Sequence, residues 1–349
     1  MSKIHHDNLT AAAQDALPAP KGATAMTATS IDEPTFRAAV EAAVRAPSLH
    51  NSQPWRFRRR SDSIEVLADP ARGLPSSDPT GWAVNIACGA ATFNMRLALA
   101  VMQRPVDVRW RPHPADPLVV AALTPAASRS ATPLEQRLFA AIPRRHSNRD
   151  PFWPDPVPVD ARARLLDAAI AEAAWLELVT GTAAVGAVAE IAHAASRVLN
   201  RNPSYVAELT AWTRPDDSAS DGVPASAGGP SSEPQDLFPQ RPFGDRERAL
   251  GRDFEAEPLV GVLGTAGDLP SDQLAGGQAL QRVLLTITDL GLTASMLSQP
   301  IEVPAAREQL RLALGRYGTP QMVLRIGYGQ PGYPTPRRGA AEVIDVVEG

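Results

Sequence analysis

The 349-residue sequence has one cysteine, two lysines and no uninterrupted apolar run long enough to cross a membrane. The single cysteine, Cys88, excludes an internal disulfide framework and a cysteine-rich zinc or iron–sulfur site. The best candidate for a spanning helix, residues 82–102, is interrupted by Asn85, Asn94 and Arg96, which argues against insertion in a bilayer. The sequence therefore predicts a protein without disulfides and without a membrane partner.

The sequence also lacks a basic excess. Its formal net charge is −4, and phosphate-binding surfaces for nucleic acids need a positive one, so nucleic acid is not expected as a partner. There is no Walker A motif and no Gly-x-Ser-x-Gly elbow, and the six histidines are scattered, which disfavours a metal site. No basic head followed by an apolar stretch opens the chain, so we expect a cytoplasmic location.

Changes in composition divide the chain. Residues 1–30 are rich in Ala, Thr and Pro without periodicity and are predicted to be disordered. A first unit is expected over residues 31–130 and a second over residues 131–349. The second contains an insertion at about 200–255, dense in Pro, Gly, Ser and Asp, of the kind that forms lids or disordered loops.

Hydrophobic periodicity and breaker residues predict mixed helices and strands. A first helix capped by Ser30 or Asp32 ends at Ala46, before Pro47. Further helices are predicted at 82–103, 134–142, 160–173, 183–199, 272–291 and 305–314, and strands at 55–58, 63–67, 106–110, 118–123, 176–180, 258–263, 322–327 and 341–347. This order indicates an α+β sandwich around a sheet, built from two related halves.

Four polar segments could bind a ligand. The loop from Ala46 to Trp55 presents Ser, His, Asn and Gln between two prolines, which suits the edge of a planar heterocycle, although a plain helix C-terminal turn explains it equally well. Two basic segments could bind a phosphate or be solvated turns. The fourth could offer a backbone N–H or simply connect two helices. The two basic segments are Arg144–Arg149 and Arg337–Arg338, and the fourth segment is Gln299–Pro304.

Together these segments resemble the nitroreductase-like family of FMN-binding flavoproteins. The family has an Arg-x-Ser-x-Arg phosphate segment, an Ala-Pro-Ser loop ending in Gln-Pro-Trp, a Pro-Ile-Glu-like segment and a basic C-terminal segment. Here the Ala-Pro-Ser loop comes first and the phosphate segment opens the second half. That order is similar to the Acg-type branch, in which two nitroreductase-like halves are fused and one chain mimics the family dimer. The resemblance extends over residues 31–346 and implies a sandwich of helices around a mixed, mainly antiparallel sheet.

The resemblance implies a set of FMN-binding residues. Three would hold the phosphate, aided by two arginines near the C-terminus. Residues of the Ala-Pro-Ser loop would contact the isoalloxazine and the ribityl chain from the other half. The Pro-Ile-Glu segment would lie beside the ring, with the backbone N–H of Glu302 as the partner of flavin N5. The phosphate residues are Arg145, Ser147 and Arg149, and the two C-terminal arginines are Arg337 and Arg338. The residues of the Ala-Pro-Ser loop are Pro47, Ser48 and Asn51, and those of the Pro-Ile-Glu segment are Pro300, Ile301 and Glu302.

Two functions are compatible with this resemblance. An NAD(P)H-dependent oxidoreductase would take hydride onto FMN and pass electrons to a nitro compound, a quinone or a similar small acceptor, with no side-chain acid or base required. Alternatively, the insertion would cover the flavin as a lid, and the protein would sequester FMN in a stress-associated role with little turnover. Whether this chain is an enzyme is therefore open. In both cases a monomer should bind FMN.

Overall fold

The computed structural model describes residues 30–233, 235–244, 246–248, 253–255 and 257–345. The predicted disordered tail lies, apart from Ser30, outside the described residues. Within them the fold is α+β, with ten α-helices and ten strands. The helices are α1 (Glu33–Ala43), α2 (Trp82–Val101), α3 (Pro133–Ala141), α4 (Val159–Ile170), α5 (Thr182–Asn200), α6 (Pro203–Ala211), α7 (Pro270–Asp289), α8 (Gln299–Glu302), α9 (Pro304–Ala313) and α10 (Ala340–Val343). The strands are β1 (Trp55–Arg59), β2 (Ile64–Ala68), β3 (Val106–Trp110), β4 (Val119–Pro125), β5 (Trp175–Val179), β6 (Thr213–Arg214), β7 (Val223–Pro224), β8 (Leu259–Thr265), β9 (Thr293–Leu297) and β10 (Thr319–Gly327).

The two halves have the same topology. The predicted sheet is divided into two four-stranded sheets, ordered β1-β2-β4-β3 and β5-β8-β10-β9, and every pairing in both is antiparallel. In each half the first strand pairs with the second, the second with the fourth and the fourth with the third. Each half also inserts a 20-residue helix, α2 or α7, between its second and third strands. This repetition is the pseudo-repeat that the sequence predicted.

Helices α2 and α7 pack against each other at the centre, where two glycines permit close backbone approach. A Cβ on Gly89 would lie 2.0 Å from the carbonyl oxygen of Leu274, and one on Gly277 would lie 2.2 Å from that of Ile86. The contact joins equivalent positions of the two helices, since the Asn85 amide donates to Gln273, 188 residues later, at 2.8 Å. Of the apolar window of α2, 83% is buried, so this long apolar helix is the core helix of the fold.

Several elements differ from the prediction. The insertion contains a regular helix, α6, whose Asn202 side chain accepts from the Ser204 N–H and whose first residue is Pro203. Strand β9 was not predicted. Residues 340–343 form helix α10 rather than the start of a strand, and Ile344 then pairs with Phe57 of β1 as an isolated bridge. The chain therefore returns to the first half before its described end.

Candidate functional site

The loop that follows α1 has an unusual backbone. His50, Asn51 and Gln53 have φ values of 52°, 54° and 52°, a left-handed conformation that costs non-glycine residues about 1 kcal/mol or more each. Hydrogen bonds compensate: the Gln53 amide accepts from the Arg338 N–H at 2.9 Å, and the Asn51 amide donates to the Gly222 carbonyl of the insertion at 2.8 Å. All three residues are buried. The loop is thus held in one strained conformation by both the insertion and the C-terminal segment.

The basic segment of the second half lies along the start of β9. Ser147 forms a parallel bridge with Ala294, and the Asn148 N–H donates to the Ala294 carbonyl at 2.8 Å. The Asn148 amide also donates to the carbonyl of Gln330 at 2.8 Å. These contacts fix the backbone between Arg145 and Arg149 and bring its side chains to the Ser48–Gln53 loop of the first half.

Two adjoining cavities lie where these segments meet. The smaller is lined by Pro47, Ser48, Asn51, Arg145, Ser147, Arg149, Val223, Met296, Thr335 and Arg337. The larger is lined by apolar side chains such as Trp82 and Met322 and by polar ones such as His50 and Arg241. They share five lining residues, Pro47, Ser48, Ser147, Arg149 and Met296. They therefore form one continuous site between the halves, with a basic end and an apolar end.

Three arginines give the smaller cavity a strong positive charge. Burial lowers the pKa of Arg145 to about 10. The pKa of Arg149 is also lowered to about 10, by burial and by repulsion from Arg241 and Arg145. The pKa of Arg337 is lowered to about 9, by burial and by repulsion from Arg145 and Arg45. Among the described residues no carboxylate lies within 4.0 Å of any of the three. The Nε atoms of Arg145 and Arg337 also have no hydrogen-bond partner there. Buried charges of one sign need a counter-charge, so this cavity fits an anion.

The larger cavity is partly closed by the insertion. Pro239, Gln240, Arg241 and Phe243 line it, opposite apolar side chains such as Trp82 and Met322. Arg241 forms a buried ion pair with Glu302 at 2.6 Å and donates to the Ser298 hydroxyl at 3.0 Å. The Arg149 guanidinium lies 5.0 Å from the centre of the Phe243 ring and donates to the Ala227 carbonyl at 2.8 Å. The insertion is thereby attached to both ends of the site.

The structure brings together seven of the eleven residues implied by the resemblance: Pro47, Ser48, Asn51, Arg145, Ser147, Arg149 and Arg337. It places Pro300, Ile301 and Glu302 outside the lining of both cavities. The Glu302 N–H, expected to face flavin N5, instead donates to the Ser298 carbonyl at 3.0 Å, because this segment closes into the short helix α8. Arg338 is also outside the lining, and its contacts with Gln53 and Glu342 orient the loop.

Several lining residues were missed by sequence reasoning. His50 was visible inside the Ala-Pro-Ser loop; it has a left-handed backbone conformation and lines the larger cavity. Thr335 and Met296 lacked any distinguishing local pattern. Arg241 and Phe243 lie in the insertion, where no periodicity pointed to a site. No group of three or more metal-ligating side chains occurs in the part of the chain that the structure describes.

Comparisons with known proteins identify relatives along nearly the whole chain, although no family model matches it. The chain is 33% identical over 337 residues to "Putative NAD(P)H nitroreductase Rv3131" of Mycobacterium tuberculosis, covering 93% of this chain and 95% of the relative. It is 30% identical over 331 residues to "Putative NAD(P)H nitroreductase acg" of the same organism, covering 91% and 97%.

Solved structures give a weaker likeness. The FMN and NADPH-dependent nitroreductase NfnB from a Sphingopyxis strain aligns with a TM-score of 0.41 and 21% identity, over 60% of this chain and 98% of that one. NfnB from Mycobacterium smegmatis, solved with NADPH, aligns with a TM-score of 0.39 and 19% identity, over 62% and 100%. The chain belongs to the NAD(P)H nitroreductase-like family that includes Acg of M. tuberculosis.

Proposed function

We propose that this protein binds FMN across the two cavities, with the 5′-phosphate in the smaller one and the isoalloxazine in the larger one. The observation that carries this proposal is the arrangement of Arg145, Arg149 and Arg337 without a carboxylate partner among the described residues. A phosphate monoester brings a charge of about −1.5 to −2 at neutral pH and offers three acceptor oxygens for forked guanidinium donors. It would relieve both the repulsion and the unpaired Nε atoms.

The remaining residues of the smaller cavity have supporting roles in this proposal. The Ser147 hydroxyl would add a donor to the phosphate. The Asn51 amide oxygen accepts from Arg337 at 2.9 Å, so Asn51 orients that guanidinium rather than binding the ligand directly. The Thr335 hydroxyl, 2.6 Å from the same Arg337 nitrogen, does the same. Pro47 and Ser48 stand at the junction of the cavities, where the ribityl chain would pass.

We further propose that the protein is an NAD(P)H-dependent oxidoreductase for a small planar acceptor such as a nitro compound or a quinone. FMN supplies the redox chemistry, by accepting hydride and passing electrons on. The chain would supply an apolar surface for flat rings, from Trp82, Ile86 and Met322, and the fixed cationic end described above. The family relationship and this apolar lining support the proposal.

A second function is favoured by one observation, the attachment of the insertion over the site. Four residues of the insertion line the larger cavity, and the buried Arg241–Glu302 pair holds them there. A permanently closed cover would restrict the access of the nicotinamide and of the electron acceptor to the flavin site. The protein would then sequester FMN with little turnover. The two functions predict different kinetics.

Anaerobic stopped-flow absorbance near 450 nm decides between them. The purified yellow protein is mixed with NADH or NADPH. Bleaching within seconds supports the reductase. Bleaching by dithionite but by neither nicotinamide supports sequestration. A colourless protein that cannot be loaded with FMN contradicts both, since both require the flavin site.

We also propose that one chain makes a complete site, because the loop comes from the half at 31–130 and the arginines from the half at 131–349. A monomer would then retain FMN, and gel filtration with absorbance detection would show flavin eluting with it. Loss of flavin on dissociation of an oligomer would contradict this. We also propose a cytoplasmic setting without membrane or nucleic-acid partners, supported by the burial of the one long apolar helix found among the described residues and by the net charge of −4.

A further inference from the structure

Arg241 of the insertion spans the larger cavity from one wall to the other. Its Nη2 atom donates to the Ser298 hydroxyl at 3.0 Å, and its Nη1 atom lies 3.4 Å from Nε2 of His50. His50 belongs to the loop of the first half, whereas Ser298 follows β9 in the second half, and both line this cavity. At this point the space between the two halves is therefore only as wide as one guanidinium group, and Arg241 fills it.

Other contacts hold the guanidinium of Arg241 in this position. Its Nη2 atom also pairs with Oε1 of Glu302 at 2.6 Å, and the two side chains are only 9% and 0% exposed. The Tyr205 ring of α6 lies 5.9 Å from the guanidinium carbon, within the range of a cation–π contact. Separating a buried ion pair leaves unpaired buried charges, which is strongly destabilising. Arg241 therefore leaves this position only at a considerable cost in free energy.

The backbone that carries Arg241 is also restricted. Pro242 follows it directly and Pro239 comes two positions before it, and each proline ring fixes its own φ. A residue that precedes a proline is in addition kept out of the α region. The Gln240 N–H donates to the Ser232 hydroxyl at 2.7 Å. The side chain is thus presented by a stiff segment, so it restricts the cavity through the space that it occupies.

The other walls of the larger cavity belong to the core of the fold. They include Trp82 of α2, Leu280 of α7 and Met322 of β10, which are 4%, 1% and 6% exposed. These packed elements leave no way through for a ligand. A ligand therefore enters between the two halves, on the side that the insertion covers and where Arg241 lies.

We propose that Arg241 sets the size of the hydride donor that reaches the flavin. This inference rests on the proposed FMN site. A dihydronicotinamide ring is flat and suits the apolar walls, but in NADH and NADPH it is joined to a ribose, a pyrophosphate and an adenosine. These groups must lie in the entrance while the ring is at the flavin, and Arg241 occupies that space. A donor without them passes with Arg241 in place, so Arg241 is a specificity-determining residue of the site.

The kinetic test compares two hydride donors that share the reacting ring. NADH carries the whole dinucleotide, whereas 1-benzyl-1,4-dihydronicotinamide carries only a benzyl group. Each donor is mixed anaerobically with the holoprotein, and bleaching of the flavin near 450 nm is followed by stopped flow. Arg241→Ala is combined with Glu302→Gln, so that the ion pair is removed without leaving an unpaired charge. We expect the ratio of the NADH rate to the benzyl-donor rate to rise at least about tenfold in this double variant.

A single substitution provides an independent test. Arg241→Lys keeps a positive charge beside Glu302, but one ammonium nitrogen cannot reach both Ser298 and His50 as the guanidinium does. It should raise the same ratio by a smaller factor than the double variant does. It also decides the question if the double variant does not fold.

Glu172→Gln is the matched control. Glu172 has a buried side chain, 6% exposed, that pairs with Arg96 at 2.8 Å and with Arg282 at 2.9 Å, and it lines neither cavity. This variant should lose stability and leave the ratio of the two donor rates unchanged. It therefore separates the loss of a buried ion pair from the widening of the entrance.

A second readout does not depend on activity. FMN must pass the same entrance, and its association with the flavin-free protein is followed by quenching of the flavin fluorescence. We expect the association rate constant to rise at least about tenfold in the double variant and to stay within about twofold of the wild type in Glu172→Gln. An unchanged rate constant in the double variant would contradict an entrance at Arg241.

The outcomes separate this inference from the FMN site on which it rests. An unchanged ratio of the two donor rates in variants that bind FMN overturns the role of Arg241 and leaves the site intact. An equal rise with both donors also overturns it, since this indicates a general loosening of the insertion. A wild-type ratio equal to that of free FMN overturns it as well, because the protein then makes no selection by size. A protein that does not bind FMN overturns the site and this inference with it.

Discussion

Replacing Arg145 with methionine should stabilise the flavin-free protein and weaken FMN binding at the same time. Burial lowers the pKa of this guanidinium from 12.5 to about 10, and at ~1.4 kcal/mol per pKa unit the fold carries a penalty of about 3 kcal/mol for its charge. Methionine keeps most of the apolar volume without the charge. The lost donation from Nη2 to the Arg45 carbonyl, at 3.3 Å, offsets roughly 1 kcal/mol of the gain.

The net gain expected for Arg145→Met is therefore about 2 kcal/mol in the free energy of unfolding. Because ΔS of unfolding scales with length, this corresponds to a rise in Tm of roughly 3 °C for a chain of this size. FMN binding should weaken by at least about tenfold, since a hydrogen bond to a charged group contributes about 1.5–3 kcal/mol. The two effects have opposite signs, which a purely structural arginine would not produce.

The assay is thermal and urea unfolding of the flavin-free protein with and without added FMN, alongside fluorescence titration with FMN. Arg144→Met is the matched control, because Arg144 is exposed and its one side-chain hydrogen bond within the described residues is from Nε to the Ala140 carbonyl at 3.2 Å. It should stay within about 0.5 kcal/mol of the wild type and bind FMN normally. Loss of more than about 1 kcal/mol of stability in Arg145→Met, together with unchanged FMN affinity, would refute the phosphate site.

Two further predictions concern the fold. Gly89→Ala should destabilise the protein by more than about 4 kcal/mol or prevent folding, because the added Cβ would lie 2.0 Å from the Leu274 carbonyl oxygen. Gly186→Ala on α5, where a Cβ would have no atom within 4 Å, should raise the free energy of unfolding by about 0.5–1 kcal/mol. Thermal melts followed by circular dichroism compare the two variants. Glu135→Gln should cost about 1 kcal/mol at pH 7, because hydrogen bonding to Arg129 lowers the pKa of Glu135 from 4.5 to about 2. That contribution is present above pH 4.5 and is lost as the pH falls towards 2, so an unchanged difference between the two proteins in acid would contradict the assignment.

Local signals in the sequence were sufficient for most elements. The Asp32 side chain accepts from the Thr35 N–H at 2.8 Å and starts α1 as predicted, and strand β3 has the predicted bounds. Strand β9 was missed because it is short, lacks alternation and begins at Thr293, shortly after α7 ends at Asp289. Helix α6 was missed despite its Asn-Pro start, since the surrounding composition indicated a loop. Such elements are stabilised by neighbours that a local pattern does not contain.

The site was only partly predictable for the same reason. Resemblance to known relatives pointed to the Ala-Pro-Ser loop and to two arginine clusters. It could not indicate that Arg337 enters the cavity while the adjacent Arg338 supports the loop. It also could not show that the Glu302 N–H is used inside α8 and that the Glu302 carboxylate pairs with Arg241 instead. These assignments depend on which hydrogen-bonding or ion-pair partner lies next to each group in the folded chain.

The sequence by itself determined the α+β class, the repeated halves and the residue types available for binding an anion, because periodicity, capping and composition act over a few neighbouring residues. Tertiary structure alone decided that Arg145, Arg149 and Arg337 meet in one cavity, with no carboxylate partner among the described residues. Those residues are far apart along the chain. Their electrostatics depend on separations of a few ångströms and on burial, and both arise only when the two halves and the insertion pack together.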